Sequence, residues 1–183
     1  MKIDQTSVES IALAPLGKAA VVSVLLILLL VPFLVLISWW SDPAAFGSSD
    51  TLFGLAVVGP LIAFILIALL ARRSITIEGA ELVVRVFFYT RRIALAEIEF
   101  AAARAIDLRE HRAARPWIRT NGIALPGFAA GHFRDRLKNK LFCLVTAPRV
   151  LSLPLRDGRR VLLSAARPAA ALERLRHIAG HRH

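Results

Sequence analysis

Two long uncharged apolar runs, at residues 19–40 and 52–71, constrain this chain more than any other feature. The first holds 22 residues without an Asp, Glu, Lys, Arg or His, and the second holds 20. At about 1.5 Å per helical residue they reach roughly 33 and 30 Å, which matches a hydrocarbon core of about 30 Å. The connector at 41–50, SDPAAFGSSD, has two acids and no base. Together these features predict a two-helix transmembrane hairpin over 19–71, preceded by a short N-terminal segment at 1–18 and followed by one soluble domain at 72–183.

A signal peptide is the rival reading of the first run, because Lys2 and Lys18 precede it. The run is longer than a typical h-region, residues 41–50 offer no small-x-small cleavage site, and a second apolar run follows at once, so a retained helix is the reading. Lys18 precedes the first run while Arg72 and Arg73 close the second. The positive-inside rule then expects a multi-pass protein of the inner (cytoplasmic) membrane with both termini in the cytoplasm, and Trp39 and Trp40 at the outer interface. Neither run carries an ionisable side chain of the kind that transport pathways need, so the hairpin reads as an anchor.

Charge is distributed as unevenly as hydrophobicity. After Ala71 come 22 of the 24 Lys and Arg and 9 of the 13 acids, so this part carries +13 while the first 71 residues carry −2. A basic domain of about 110 residues is large enough for one core and favours anionic partners. The single cysteine, Cys143, excludes an internal disulfide.

From Ser74 the pattern is one of short β-rich pieces. Strands are expected at 75–78 and 82–89 around a Gly79-Ala80 turn, then at 91–98 and 104–109. Residues 110–132 contain Pro116, Asn121-Gly122, Pro126-Gly127 and Gly131 and read as a looser stretch. A strand at 140–146 follows, then a hairpin of 150–155 and 159–163 around Asp157-Gly158. Leu172, Leu175 and Ile178 fall at helical spacing in a closing helix at 168–178, with Ser164 as its cap.

The stretch 119–133, RTNGIALPGFAAGHF, spaces Gly122, Gly127, Gly131 and Phe133 as G-x-x-x-x-G-x-x-x-G-x-F. With the following strand ending in Thr146, the Gly158 hairpin, Ser164 and the Pro-led helix, it resembles the bacterial pleckstrin-homology (PH)-like domains over about 75–180. Ala165-Ala166-Arg167 departs from that family's more usual Pro and acidic residues. The resemblance implies an α+β fold, a PH-like antiparallel barrel or sandwich of about seven strands capped by a C-terminal helix. Read as residues alone, the glycines serve turns, a bulge or close backbone approach. No Lys follows them in the frame of a nucleotide-binding P-loop.

The expected chemistry is binding without catalysis. His111 and His132 lack sequence partners, His177, His181 and His183 belong to a basic tail, and Cys143 sits between Phe142 and Leu144 as a buried thiol. No catalytic, cofactor or metal residues are assigned. The anionic-surface contacts expected are Arg72, Arg73, Arg91, Arg92, Arg134, Arg136, Lys138 and Lys140. The implied function is a membrane-anchored, non-enzymatic PH-like module at the cytoplasmic face. Its partners are the lipid bilayer, anionic headgroups, and a protein partner or a second copy. The alternative is an accessory or regulatory subunit of a membrane transport or channel assembly. Nucleic acid is not expected, because no aromatic stacking platform interleaves the basic residues.

Overall fold

The computed structural model describes residues 8–41, 61, 64–65, 67–68, 71–86 and 89–180. Among the described residues, ten strands form two sheets. The four-stranded sheet has the order β1-β2-β3-β4, from Val8–Ile11, Arg73–Glu78, Glu81–Val86 and Tyr89–Ala94. The six-stranded sheet has the order β5-β9-β10-β8-β7-β6. Its strands are β5 (Arg104–Asp107), β6 (Ile118–Leu125), β7 (Phe128–Arg134), β8 (Lys140–Val145), β9 (Arg149–Pro154) and β10 (Arg160–Leu163). Helix α1 (Lys18–Ser41) leaves the domain after β1, and helix α2 (Pro168–Gly180) closes the chain's described part.

This corrects the expectation of a two-helix hairpin in front of one antiparallel barrel or sandwich of about seven strands. There are two sheets, and β10 lies between β9 and β8, antiparallel to the first but parallel to the second. The reason is visible in the side chains. On β8, Phe142 and Leu144 face the core between the sheets, while Leu141, Cys143 and Val145 face a second cluster with Ile106, Phe133, Val150 and Leu162. A strand buried on both faces reads as a continuous apolar run and accepts parallel neighbours. Here β8 occupies the interior of the sheet, between β10 and β7.

The hairpin expectation is corrected as well. Among the described residues, one helix is long and apolar enough to cross a membrane, at Lys18–Ser38. The second run, 52–71, falls mostly outside the described residues; Leu61, Phe64, Ile65, Ile67, Ala68 and Ala71 are helical. A multi-pass inner-membrane placement with both termini in the cytoplasm is therefore not supported. The N-terminal segment also has a structural role. β1 pairs with β2 from Val8↔Glu78 to Ile11↔Ile75. Beyond it, the Ala14 N–H donates to the Ser164 carbonyl at 2.9 Å and the Thr146 hydroxyl donates to the Ala14 carbonyl at 3.2 Å. Both sheets thus hold the segment that leads into α1.

The stretch expected to be loose, 110–132, contains much of the β6–β7 hairpin, the longest strand pair in the domain. Pro126-Gly127 forms its turn, with Gly127 left-handed at φ +75°, but Asn121-Gly122 lies within a strand beside a bulge. Gly122 pairs directly with Gly131 across the ladder. Their φ angles of +148° and +116°, and the close approach of the two backbones, require glycine at both positions.

Ser164 does not cap α2, which starts four residues later. It is fully buried, and its hydroxyl oxygen accepts from the Thr146 and Ala147 N–H groups at 3.0 and 3.2 Å. This satisfies the end of β8 where the chain turns toward β9. Helix α2 presses Ala171, Leu172 and Leu175 into the intersheet core, and Arg176 reaches the Phe100 and Ala103 carbonyls at 3.1 and 3.3 Å.

Candidate functional site

The eight basic residues expected to contact an anionic surface fall into three settings. Arg92 is committed within the four-stranded sheet, bridging Glu81 at 3.1 Å and Glu78 at 3.6 Å, while Arg85 holds Glu78 at 2.6 Å. The Arg85 hydrogen bond, with Thr76 and the Arg92 charge in support, holds the Glu78 carboxyl below its usual range. Arg72 is exposed and precedes β2, whereas Arg73 is half-buried, and its Nε and Nη1 are without a hydrogen-bond partner among the described residues. Of the other five, Arg134, Arg136, Lys138 and Lys140 lie on β7, on β8 and on the turn between them, and Arg91 reaches the same side from β4.

Arg91, Arg134 and Lys140 meet in a cleft of about 380 Å³, joined there by Arg159, Arg160, His132 and Thr120. The topology explains the convergence. β7 and β8 pair Arg134 with Lys140, and parallel β10 sets Arg160 beside Leu141. The Asp157-Gly158 turn delivers Arg159, whose Nε contacts Asp157 at 2.9 Å. Among the described residues lining the cleft none is acidic. The Nε of Arg91 is buried and without a partner among the described residues.

His132 sits between Tyr89, edge-on at 6.2 Å, and Phe142 at 5.1 Å. Burial first, then the positive charges of Arg91 and Arg159, hold its proton affinity below the ordinary histidine value. Both burial and these charges favour the neutral imidazole. Cys143 is inert: burial pushes its thiol far above the usual range, and Sγ lies 3.7 Å from the Ala129 carbonyl.

Arg136 and Lys138 stand on the turn between β7 and β8. The buried Asp135 carboxylate accepts from the Asn139 N–H at 2.9 Å and from Nδ2 at 3.0 Å, and Lys138 takes the left-handed φ of +65°. This locked turn leaves Leu137 at its tip 69% exposed, beside Trp117 at 62% and Ile118 at 47%. The Arg136 guanidinium lies 4.5 Å above the Trp117 ring. A groove of about 550 Å³ runs from this edge to the foot of α1: Arg109, Arg115, Trp117 and Arg136 line it together with Gly17, Lys18 and Ala19.

Sequence reasoning identified Arg91, Arg134, Lys140, Arg136 and Lys138 but missed what surrounds them. Arg159-Arg160 directly after a tight turn, and Trp117 between Pro116 and exposed Ile118, were the available signals. Of the terminal histidines, His181 and His183 lie outside the described residues. No protein-family model, curated protein or solved structure matches this chain. The PH-like resemblance accordingly rests on the glycine spacing and the order of elements alone.

Proposed function

We propose that this chain is a membrane-tethered, non-enzymatic interaction module that lays its Trp117 edge on an anionic lipid surface. The observation that carries the reading is the shared groove: the foot of the long apolar helix and a basic, tryptophan-bearing edge line one concavity. Only 7% of the apolar window of α1 is buried by the rest of the protein, and Leu26, Leu29 and Phe33 are more than half exposed. A helix apolar on all sides and unpacked against protein needs lipid around it. A removable leader is a poor alternative, since β1 and residues 12–17 before α1 are part of the domain's hydrogen bonding.

With α1 in lipid, its first turn fixes where the headgroups begin. Tryptophan is at home at that depth, and Arg109, Arg115, Arg136 and Lys138 each contribute about 1 kcal/mol near an anionic leaflet, fading within a Debye length of about 10 Å. Leu137 supplies apolar contact between the charges.

Labelling tests the docking. In the full chain, Cys143 is buried and silent, so Leu137→Cys gives one reactive thiol. In nanodiscs of phosphatidylcholine with phosphatidylglycerol, a membrane-impermeant maleimide should label it severalfold more slowly than in phosphatidylcholine alone, and high salt should remove the difference. Equal, salt-insensitive rates in the two lipids would sink the docking.

A further inference from the structure

We propose that the cleft between β4, β7, β8 and β10 is a discrete binding site for a phosphate monoester, separate from the Trp117 edge. It goes beyond surface attraction because it is concave and its lining comes from both sheets. Arg91, Arg134, Lys140, Arg159 and Arg160 surround a space of about 380 Å³. Ligand pockets for small molecules begin at about 300 Å³, so the space suits a phosphate and a short ester substituent.

The two sheets treat their cations differently. On the four-stranded sheet Arg85 and Arg92 are neutralised by Glu78 and Glu81. In the cleft, Asp157 contacts Arg159 from the turn, and the described lining residues include no acid to answer the other four cations. Like charges gathered in a concavity repel one another, and an anion that bridges them relieves the repulsion. Arg91 adds a buried Nε donor with no partner among the described residues, and such donors are normally satisfied.

The chemistry favours a phosphate monoester over other anions. Its two negative charges and three terminal oxygens match several guanidinium forks arriving from different strands, each able to bind two oxygens. A single carboxylate would leave most of these donors unanswered. Nucleic acid fits poorly, because Phe142 is 5% exposed and covered by His132, so the cleft presents no free aromatic face for a base. A phosphomonoester can come from a lipid headgroup or from a free metabolite, and the chemistry of recognition is common to both.

His132 is the built-in reporter. Burial first, and then the charges of Arg91 and Arg159, hold its titration below the ordinary value of 6.5. A dianion between those guanidiniums opposes their field and should move the titration back up. The test uses the full chain in phosphatidylcholine nanodiscs, with glycerol 3-phosphate and inorganic phosphate as soluble probes and phosphatidic acid as the membrane probe. Saturable binding at about 1 mM or tighter is expected for at least one, accompanied by an upward shift of the His132 titration in NMR spectra.

Arg91→Gln with Arg159→Gln should weaken that binding at least tenfold, Arg91→Lys less, and Arg136→Gln with Lys138→Gln not at all. Binding of the soluble probes alone assigns the site to a free ester. A His132 response to phosphatidic acid but not to phosphatidylglycerol assigns it to a headgroup. No saturable binding of any probe, or equal losses in the cleft and edge variants, overturns the proposal. Docking is read separately: slow labelling at Leu137→Cys in anionic nanodiscs should survive the cleft substitutions.

Discussion

Gly131→Ala should destabilise the domain by about 3 kcal/mol, combining the cost of strained backbone with that of forced repacking. At its φ of +116° a Cβ would sit 2.5 Å from the Asn121 carbonyl oxygen and 2.7 Å from the Gly122 Cα, both of them backbone atoms that cannot swing aside. Gly122→Ala meets the Ala130 carbonyl oxygen still more closely. Gly79 provides the contrast: its φ is also positive, at +62°, but nothing lies within 4 Å of an added Cβ. Gly79→Ala should therefore cost only about 1 kcal/mol, the conformational penalty alone. Denaturant unfolding of the full chain in mild detergent measures both, and equal losses would remove the close-approach explanation. The consequence reaches the cleft, because the Gly122↔Gly131 pair lies next to His132 and three positions from Arg134.

Leu29→Arg is expected to have the second large effect. Leu29 lies near the middle of α1 and is 67% exposed from the protein. An arginine at the centre of a membrane helix costs about 2.5–3.5 kcal/mol in insertion, which is roughly a hundredfold in the partition equilibrium. The carbonate-resistant membrane fraction should fall sharply for Leu29→Arg and stay unchanged for Lys18→Gln at the start of the helix. A Leu29→Arg chain retained at the wild-type level would show that α1 is not the tether. No loss of fold should accompany the change, since Leu29 is 67% exposed, and among the described α1 side chains those that join the intersheet core are Ala20 and Val24.

Local signals were legible in the sequence where they were complete in themselves. The turns at Gly79-Ala80 and Asp157-Gly158, the apolar run at 140–146 and the helix expected at 168–178 all correspond to observed elements, with α2 extending to Gly180. Non-local pairing was not legible. Four residues of β1 carry no strand signal until β2 supplies a partner, and the parallel β8–β10 ladder depends on a crossover that no local pattern announces. Asn121-Gly122 resembled a turn because its partner, Gly131, is distant in sequence yet opposite in space.

The same distinction separates the legible and hidden parts of the site. Charge clustering along the chain pointed to Arg91, Arg134, Lys140, Arg136 and Lys138. It could not tell that Arg92 is consumed by Glu78 and Glu81, which lie on neighbouring strands. Nor could it bring Arg159, Arg160 and His132 to the first three, since only the sheet order does so. Trp117 became meaningful through Arg136 stacked above it and α1 at the other part of its groove.

The placement of Trp117 is therefore the most direct measure of the account. The chain has three tryptophans, at 39, 40 and 117, and replacing Trp39 and Trp40 with Phe leaves Trp117 as the sole fluorophore of its kind. The full chain is reconstituted in vesicles whose lipids carry a shallow doxyl quencher. Strong quenching in phosphatidylcholine with phosphatidylglycerol, and weak quenching in phosphatidylcholine alone, is the predicted result. Quenching that is absent in both, or equal in both, would contradict docking of this edge on an anionic bilayer.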